Sequence, residues 1–141
     1  MKKKEFEIEL VIRVTVYDQD IEDIMVTALE GGIGYWACLD NGDERFELAP
    51  AEESVAETCA RILLDGGSVT LLDDEDHGTS WILTLDKLTG GITKFLETSD
   101  GPNCIECNYN EDGFEIDTCQ IDADRADAII QYALFGEIVY G

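Results

Sequence analysis

Three cysteines in the second half of the chain carry the spacing of a metal or redox site. Cys104-x-x-Cys107, followed by Cys119, could give three thiolates to zinc, which takes four tetrahedral ligands. A fourth ligand is missing nearby, because the only histidine, His77, lies far off in sequence. If residues 104–109 form a strand, the odd spacing sends Cys104 and Cys107 to opposite faces. A redox Cys-x-x-Cys pair opens a helix, and no helical pattern starts here. Asn108-x-Asn110-x-Asp112-Gly113 has the opening of an EF-hand loop, but Cys119 stands where the bidentate glutamate belongs. A hairpin turn accounts for the same residues. Asp73-Asp74-Glu75-Asp76-His77-Gly78 could hold a divalent cation loosely, and a solvated loop explains it equally.

Gly32-Ile33-Gly34-Tyr35-Trp36-Ala37 matches the G-x-G-x-x-A pattern of dinucleotide sites. Such a loop needs a strand before it and a helix after it, so that backbone N–H groups meet the pyrophosphate. Here the glycines follow a helical pattern and lead into a strand pattern. They read as a helix stop and a tight turn, with the aromatics as core. Acid pairs such as Asp18/Asp20, Asp74/Asp76 and Asp122/Asp124 arise by chance in so acidic a chain, and general acid–base work needs a cleft that separates their pKa values. With one histidine, in an acidic loop, there is no Ser-His-Asp or Cys-His arrangement to assemble. No enzymatic activity, cofactor or metal is therefore expected.

The elements that would position these residues follow from periodicity. Residues 5–16 alternate, with Phe6, Ile8, Leu10, Ile12, Val14 and Val16 on one side. That predicts a long, half-buried first strand, paired antiparallel with one face wet. Ile21, Ile24, Met25, Ala28 and Leu29 mark one face of a helix that Asp18 or Asp20 can cap and Gly31-Gly32 can stop. Residues 33–39 read as a strand. A second helix is predicted from Pro50 to Leu64, two strands at 68–72 and 80–84, and a third helix over 85–97, kinked or broken at Gly90-Gly91. A hairpin about Asp112-Gly113 joins 104–109 to 114–119. A last helix starts at Asp122 and ends at Gly136, and Ile138-Val139-Tyr140 reads as a terminal strand. The sum is one α+β domain over residues 1–141, with a mainly antiparallel sheet and about four amphipathic helices.

Charge sets the chain apart. Its 141 residues hold 32 acids and 9 bases, a formal net charge of −23. A field of that sign repels nucleic acid and anionic membrane and attracts basic partners. The lysines at Lys2, Lys3 and Lys4 suggest a leader, but Glu5, Glu7, Glu9 and Arg13 interrupt every apolar run, so neither a signal peptide nor a membrane span is expected. The 5 cysteines form no dense framework and read as free thiols in a reducing cytosol.

The stretches VTVYDQDIEDIMVTALEGGIGYWA (14–37), GGSVTLLDDED (66–76), ILTLDKLTGGI (82–92) and DADRADAIIQYALFGEIVYG (122–141) resemble a family of small acidic proteins carried by bacteriophages and prophages. They span about half of the chain. The resemblance implies a mobile-element origin and brings no catalytic residues to carry over. Acidic phage proteins that block host defence suggest a function by analogy: inhibition of a host defence system through a basic, nucleic-acid-handling protein, with a type II CRISPR effector nuclease as the expected target. The acids expected to meet that partner are Glu22, Asp23 and Glu30 on the first helix, Asp73, Asp74, Glu75 and Asp76 in the loop, and Asp124 and Asp127 on the last helix. Two other readings stand beside it. One is a sponge for a nucleotide signal, using Arg45 or Lys94 near Tyr35, Trp36 or Trp81. The other is a structural or regulatory phage protein whose acidity serves solubility. The long first strand also offers an edge for a homo-oligomer.

Overall fold

The computed structural model describes residues 3–108 and 113–141. It is an α+β fold with two three-stranded sheets. In chain order the elements are β1 (Val14–Thr15), α1 (Asp18–Thr27), a π-helical turn (Ala28–Gly32), β2 (Ala37–Leu39), α2 (Glu44–Glu47), α3 (Val55–Leu64), β3 (Ser68–Asp73), β4 (Ser80–Thr84), α4 (Leu85–Leu96), β5 (Ile105–Asn108), β6 (Gly113–Ile116) and α5 (Ala123–Phe135). Short 3-10 turns at Gly101–Cys104 and Thr118–Gln120 flank the β5–β6 pair. One sheet has the order β2-β3-β4 and is antiparallel throughout. The other has the order β1-β6-β5, antiparallel between β5 and β6 but parallel between β1 and β6.

The first strand departs from expectation. Only Val14 and Thr15 pair, with Phe114 and Glu115. β6 is four residues long, so it offers partners to only a short stretch of the alternating segment. Residues 3–13 take no part in either sheet. Phe6, Ile8, Leu10 and Val11 are exposed rather than half-buried.

Local signals explain most helix ends. The Asp20 carboxylate accepts the Tyr17 backbone N–H at 2.8 Å, so it caps α1 from inside its first turn. α3 starts at Val55, not near Pro50, because Ser54 and Glu57 form a reciprocal capping box. Asp122 caps α5 by accepting the Arg125 N–H, and Gly136 closes that helix with φ 72°, a left-handed conformation suited to glycine.

α4 runs unbroken through Gly90-Gly91. The pair serves packing instead: a Cβ on Gly91 would lie 2.5 Å from the Ile129 carbonyl oxygen and 2.8 Å from the Ala133 Cβ. The missing side chain lets α4 and α5 approach backbone to backbone. Likewise, a Cβ on Gly32 would lie 2.8 Å from the Ala123 carbonyl oxygen, where the π-helical turn meets the start of α5.

The core is continuous. Ile24, Leu63, Leu71, Leu83, Leu88, Ile129 and Ile130 are fully buried, joining α1, α3, α4, α5 and the β3–β4 pair. Burying each such side chain stabilises by about 1.5–3 kcal/mol. The expected terminal strand is absent. The Val139 and Tyr140 N–H groups both donate to the Gln131 side-chain oxygen at 2.8 Å, so a glutamine on α5 replaces a sheet edge. No helix is long and apolar enough to cross a membrane among the described residues.

Candidate acidic docking surface

The Gly34-Tyr35-Trp36 turn leads from the first helical segment into β2. Trp36 is buried, whereas Tyr35 is 56% exposed, so only one of the two aromatics belongs to the core. Trp36 stacks on Tyr140, with ring centroids 4.7 Å apart and planes 8° from parallel, and it meets Trp81 edge-on at 5.6 Å. Phe135 closes the group, 5.3 Å from Trp81. Such ring contacts add about 0.5–1.5 kcal/mol each beyond their burial.

Asp127 lies beneath this turn, which corrects its expected place on the outer face of the last helix. It is 8% exposed. One carboxylate oxygen accepts the Trp36 indole N–H at 2.8 Å and the Gln131 amide at 3.0 Å. The other accepts the Tyr35 hydroxyl at 2.6 Å. Desolvation around that hydroxyl, followed by its bond to and the charge of Asp127, pushes the Tyr35 pKa up to about 12. Asp127 is thus an internal anchor, its carboxylate engaged by three donors of the chain itself.

The other expected acids divide into two groups. Asp74, Glu75 and Asp76 are exposed in the β3–β4 turn, and Asp73 is half-buried at its base. Asp73 shapes the turn by accepting the Glu75 and Asp76 N–H groups at 2.8 and 3.0 Å, and it also receives the Tyr140 hydroxyl at 3.3 Å. Asp76 accepts the Gly78 N–H and the Thr79 hydroxyl. Glu30 and Asp74 line one shallow depression with Gly34 and Cys38. Asp124 lines the neighbouring one with Tyr35 and Tyr140. Glu30 and Asp74 thus flank the turn at Gly34, and Asp124 flanks it at the exposed Tyr35. Glu22 and Asp23 line a separate depression with Glu57 and Thr118. There Asp23 accepts the Thr118 hydroxyl at 2.8 Å, and Gln19 bridges Glu22 and Asp23.

Few bases offset these acids. Three ion pairs are formed among the described residues: Arg45–Asp43, Arg61–Glu53 and Arg125–Asp100. Lys87 and Lys94 donate to the Ile82 and Gly136 carbonyls. Arg45 also donates to the Ser68 carbonyl. The accessible surface is 9069 Å², so an even spread of −23 gives roughly one net charge per 400 Å². A DNA cylinder carries about one per 100 Å². Any likeness to DNA must come from local clustering of the kind seen around Tyr35.

Among the described residues, Cys104, Cys107 and Cys119 belong to no cluster of three potential metal ligands. Cys104 is buried against the Gln120 carbonyl, while Cys107 and Cys119 are exposed. Among the described residues, the one group whose ligand atoms lie within 4.8 Å of each other is Cys38, Asp74 and His77. Sequence spacing could not find it, because β2 and the β3–β4 turn are brought together only by the sheet. The expected EF-hand-like turn falls on Asn110 and Asp112, outside the described residues. No protein-family model matches the chain, and no curated protein or solved structure is significantly similar to it.

Proposed function

We propose that this chain is a binding protein without catalytic activity that docks an acidic face, centred on Tyr35, onto the basic surface of a nucleic-acid-handling protein and competes with nucleic acid for it. The observation that carries this reading is that Glu30 and Asp74 line one depression at Gly34 and Asp124 lines another at the exposed Tyr35, beside an exposed acidic turn at Asp74, Glu75 and Asp76, in a chain of net charge −23. Desolvated tyrosines anchor protein interfaces, and surrounding charge steers encounter and selects partners. The resemblance to phage and prophage proteins makes a host-defence protein the expected target, with a type II CRISPR effector nuclease as the instance to test.

The experiment is a binding titration against such a nuclease at low and high salt, followed by a DNA-competition assay. Binding is expected to weaken steeply with salt, because exposed charges are screened beyond about 8–10 Å. Neutralising Glu30, Asp74, Glu75 and Asp124 together (E30Q/D74N/E75Q/D124N) is expected to weaken binding roughly 30-fold, at about 0.5 kcal/mol per exposed charge. Tight binding that ignores both salt and the quadruple variant would overturn the reading.

A further inference from the structure

We propose that Cys38, Asp74 and His77 form a binding site for a thiophilic divalent cation, zinc foremost. β2 pairs with β3 so that Ala37 faces Asp73, and the Asp74 N–H donates to the Trp36 carbonyl at 3.0 Å. This fixes the turn beside Cys38. The Cys38 Sγ lies 3.8 Å from the His77 Nε2. A tetrahedral zinc with bonds of about 2.3 Å to sulfur and about 2.0 Å to nitrogen spans about 3.5 Å between them, so small side-chain rotations suffice. Asp73 and Asp76 are occupied in holding the turn, which leaves the Asp74 carboxylate to complete the set. Thiolate, imidazole and carboxylate together favour zinc or cobalt over magnesium or calcium. The fourth position falls to water or to Glu30, which lines the same depression. Binding releases the Cys38 thiol proton to solvent, so affinity rises with pH. The site shares Asp74 with the proposed docking face, and its test reads the metal alone, without a partner.

Cobalt titration of the reduced, full-length protein tests it. One equivalent is expected to give a thiolate-to-cobalt charge-transfer band that zinc abolishes. C38S should lose the band, H77A should weaken cobalt binding at least tenfold, and C107S/C119S should keep it, with far-UV circular dichroism confirming that each variant is folded. No band in the wild type, or a band that survives C38S, would overturn the assignment.

Independently, we infer that two copies of the chain join through residues 6–14. Phe6, Ile8 and Leu10 are 84, 87 and 79% exposed, an apolar row that soluble surfaces rarely leave in water, and Val11 beside them is 94% exposed. Among the described residues, β1 bonds only β6, and residues 6–13 pair with no strand, so their backbone is open to one. Leu10, Val11 and Ile12 also line one wall of an apolar groove of about 830 Å³, with Phe114 and the α4 residues Ile92 and Leu96 opposite. A second copy fits as an antiparallel strand with the two-fold axis at Leu10. Ile8 then faces Ile12 of the partner subunit, Phe6 faces the partner's Val14, and Glu7 faces the partner's Arg13. An axis at Glu9 or Ile8 would oppose Glu9 to Glu9 or Glu7 to Glu9. The sheet register already sets the row Val14–Phe114–Cys107, and the partner's Phe6 would extend it at the mouth of the groove.

Sedimentation equilibrium is expected to give twice 15.6 kDa. Salt should tighten the dimer, since two chains of −23 repel, the reverse of its effect on acidic docking. L10K should be monomeric with unchanged circular dichroism. R13E should weaken dimerisation at least tenfold, and E7R/R13E should restore it. A wild type that stays monomeric, a dimer indifferent to L10K, or a failure of the double exchange to rescue would overturn this pairing.

Discussion

At the scale of single residues, Asp127 shows how a carboxylate in an acidic chain can serve the interior. Its removal in D127A strands the Trp36 indole, the Tyr35 hydroxyl and the Gln131 amide. Leaving a buried donor unpaired costs about 1–3 kcal/mol, so D127A is expected to lower stability by about 3 kcal/mol in urea unfolding, with D127N losing less. Alkaline pH should act on the same network. Tyr35 holds its proton to about 12 in the folded chain, whereas an unfolded tyrosine releases it near 10. Its contribution is therefore complete below pH 10 and lost as pH rises toward 12. Urea midpoints across that window should fall, and less so in Y35F. Burial also pushes the Cys59 thiol up to about 12 from 9.0, which adds to the alkaline loss from a lower starting pH. Asp127 was hard to place from sequence because its neighbours Asp124 and Arg125 are surface types. The clue lay in Ile130 and Gln131, three and four residues on, which share its side of the helix.

At the scale of elements, the two glycines of α4 make opposite predictions. G90A adds a Cβ with nothing within 4 Å and should stabilise by up to about 1 kcal/mol through helix propensity. G91A drives its Cβ into the Ile129 carbonyl, and overpacking of about 1–3 kcal/mol should outweigh that gain. Thermal melts of the two variants should therefore shift in opposite directions. Sequence could not separate them and suggested a kink, since propensity sees two equal glycines and the difference lies in α5. Elements with local punctuation were legible: α5 between Asp122 and Gly136, and the β3–β4 pair with its acidic turn. The first strand and the terminal strand were misjudged for a shared reason. Alternation marks which side chains want burial, but pairing needs a partner edge, and β6 is too short while Gln131 has already claimed the tail's N–H groups.

At the scale of the molecule, the excess of acid is legible in composition, but its distribution is not. Glu30, Asp74 and Asp124 come to one turn only because the π-helical turn, α5 and the antiparallel β2-β3-β4 sheet converge there. Self-repulsion opposes the compact state, and salt relieves it. The melting temperature of the isolated chain is thus expected to rise with added salt under the conditions that weaken its capture of a basic partner. Calorimetry and the binding titration, run on one salt series, check the pair of opposed trends.

The tail that Gln131 holds has an optical consequence. Tyr140 lies flat on Trp36, Trp81 stands edge-on to both, and Phe135 stands edge-on to Trp81. Chromophores this close and this rigidly oriented couple their transitions, so near-ultraviolet circular dichroism and indole emission should both report whether the tail is seated. Undocking would be visible in the ultraviolet signal of the native chain, residue by residue with W36F and W81F, and no label would have to be attached to the element being watched.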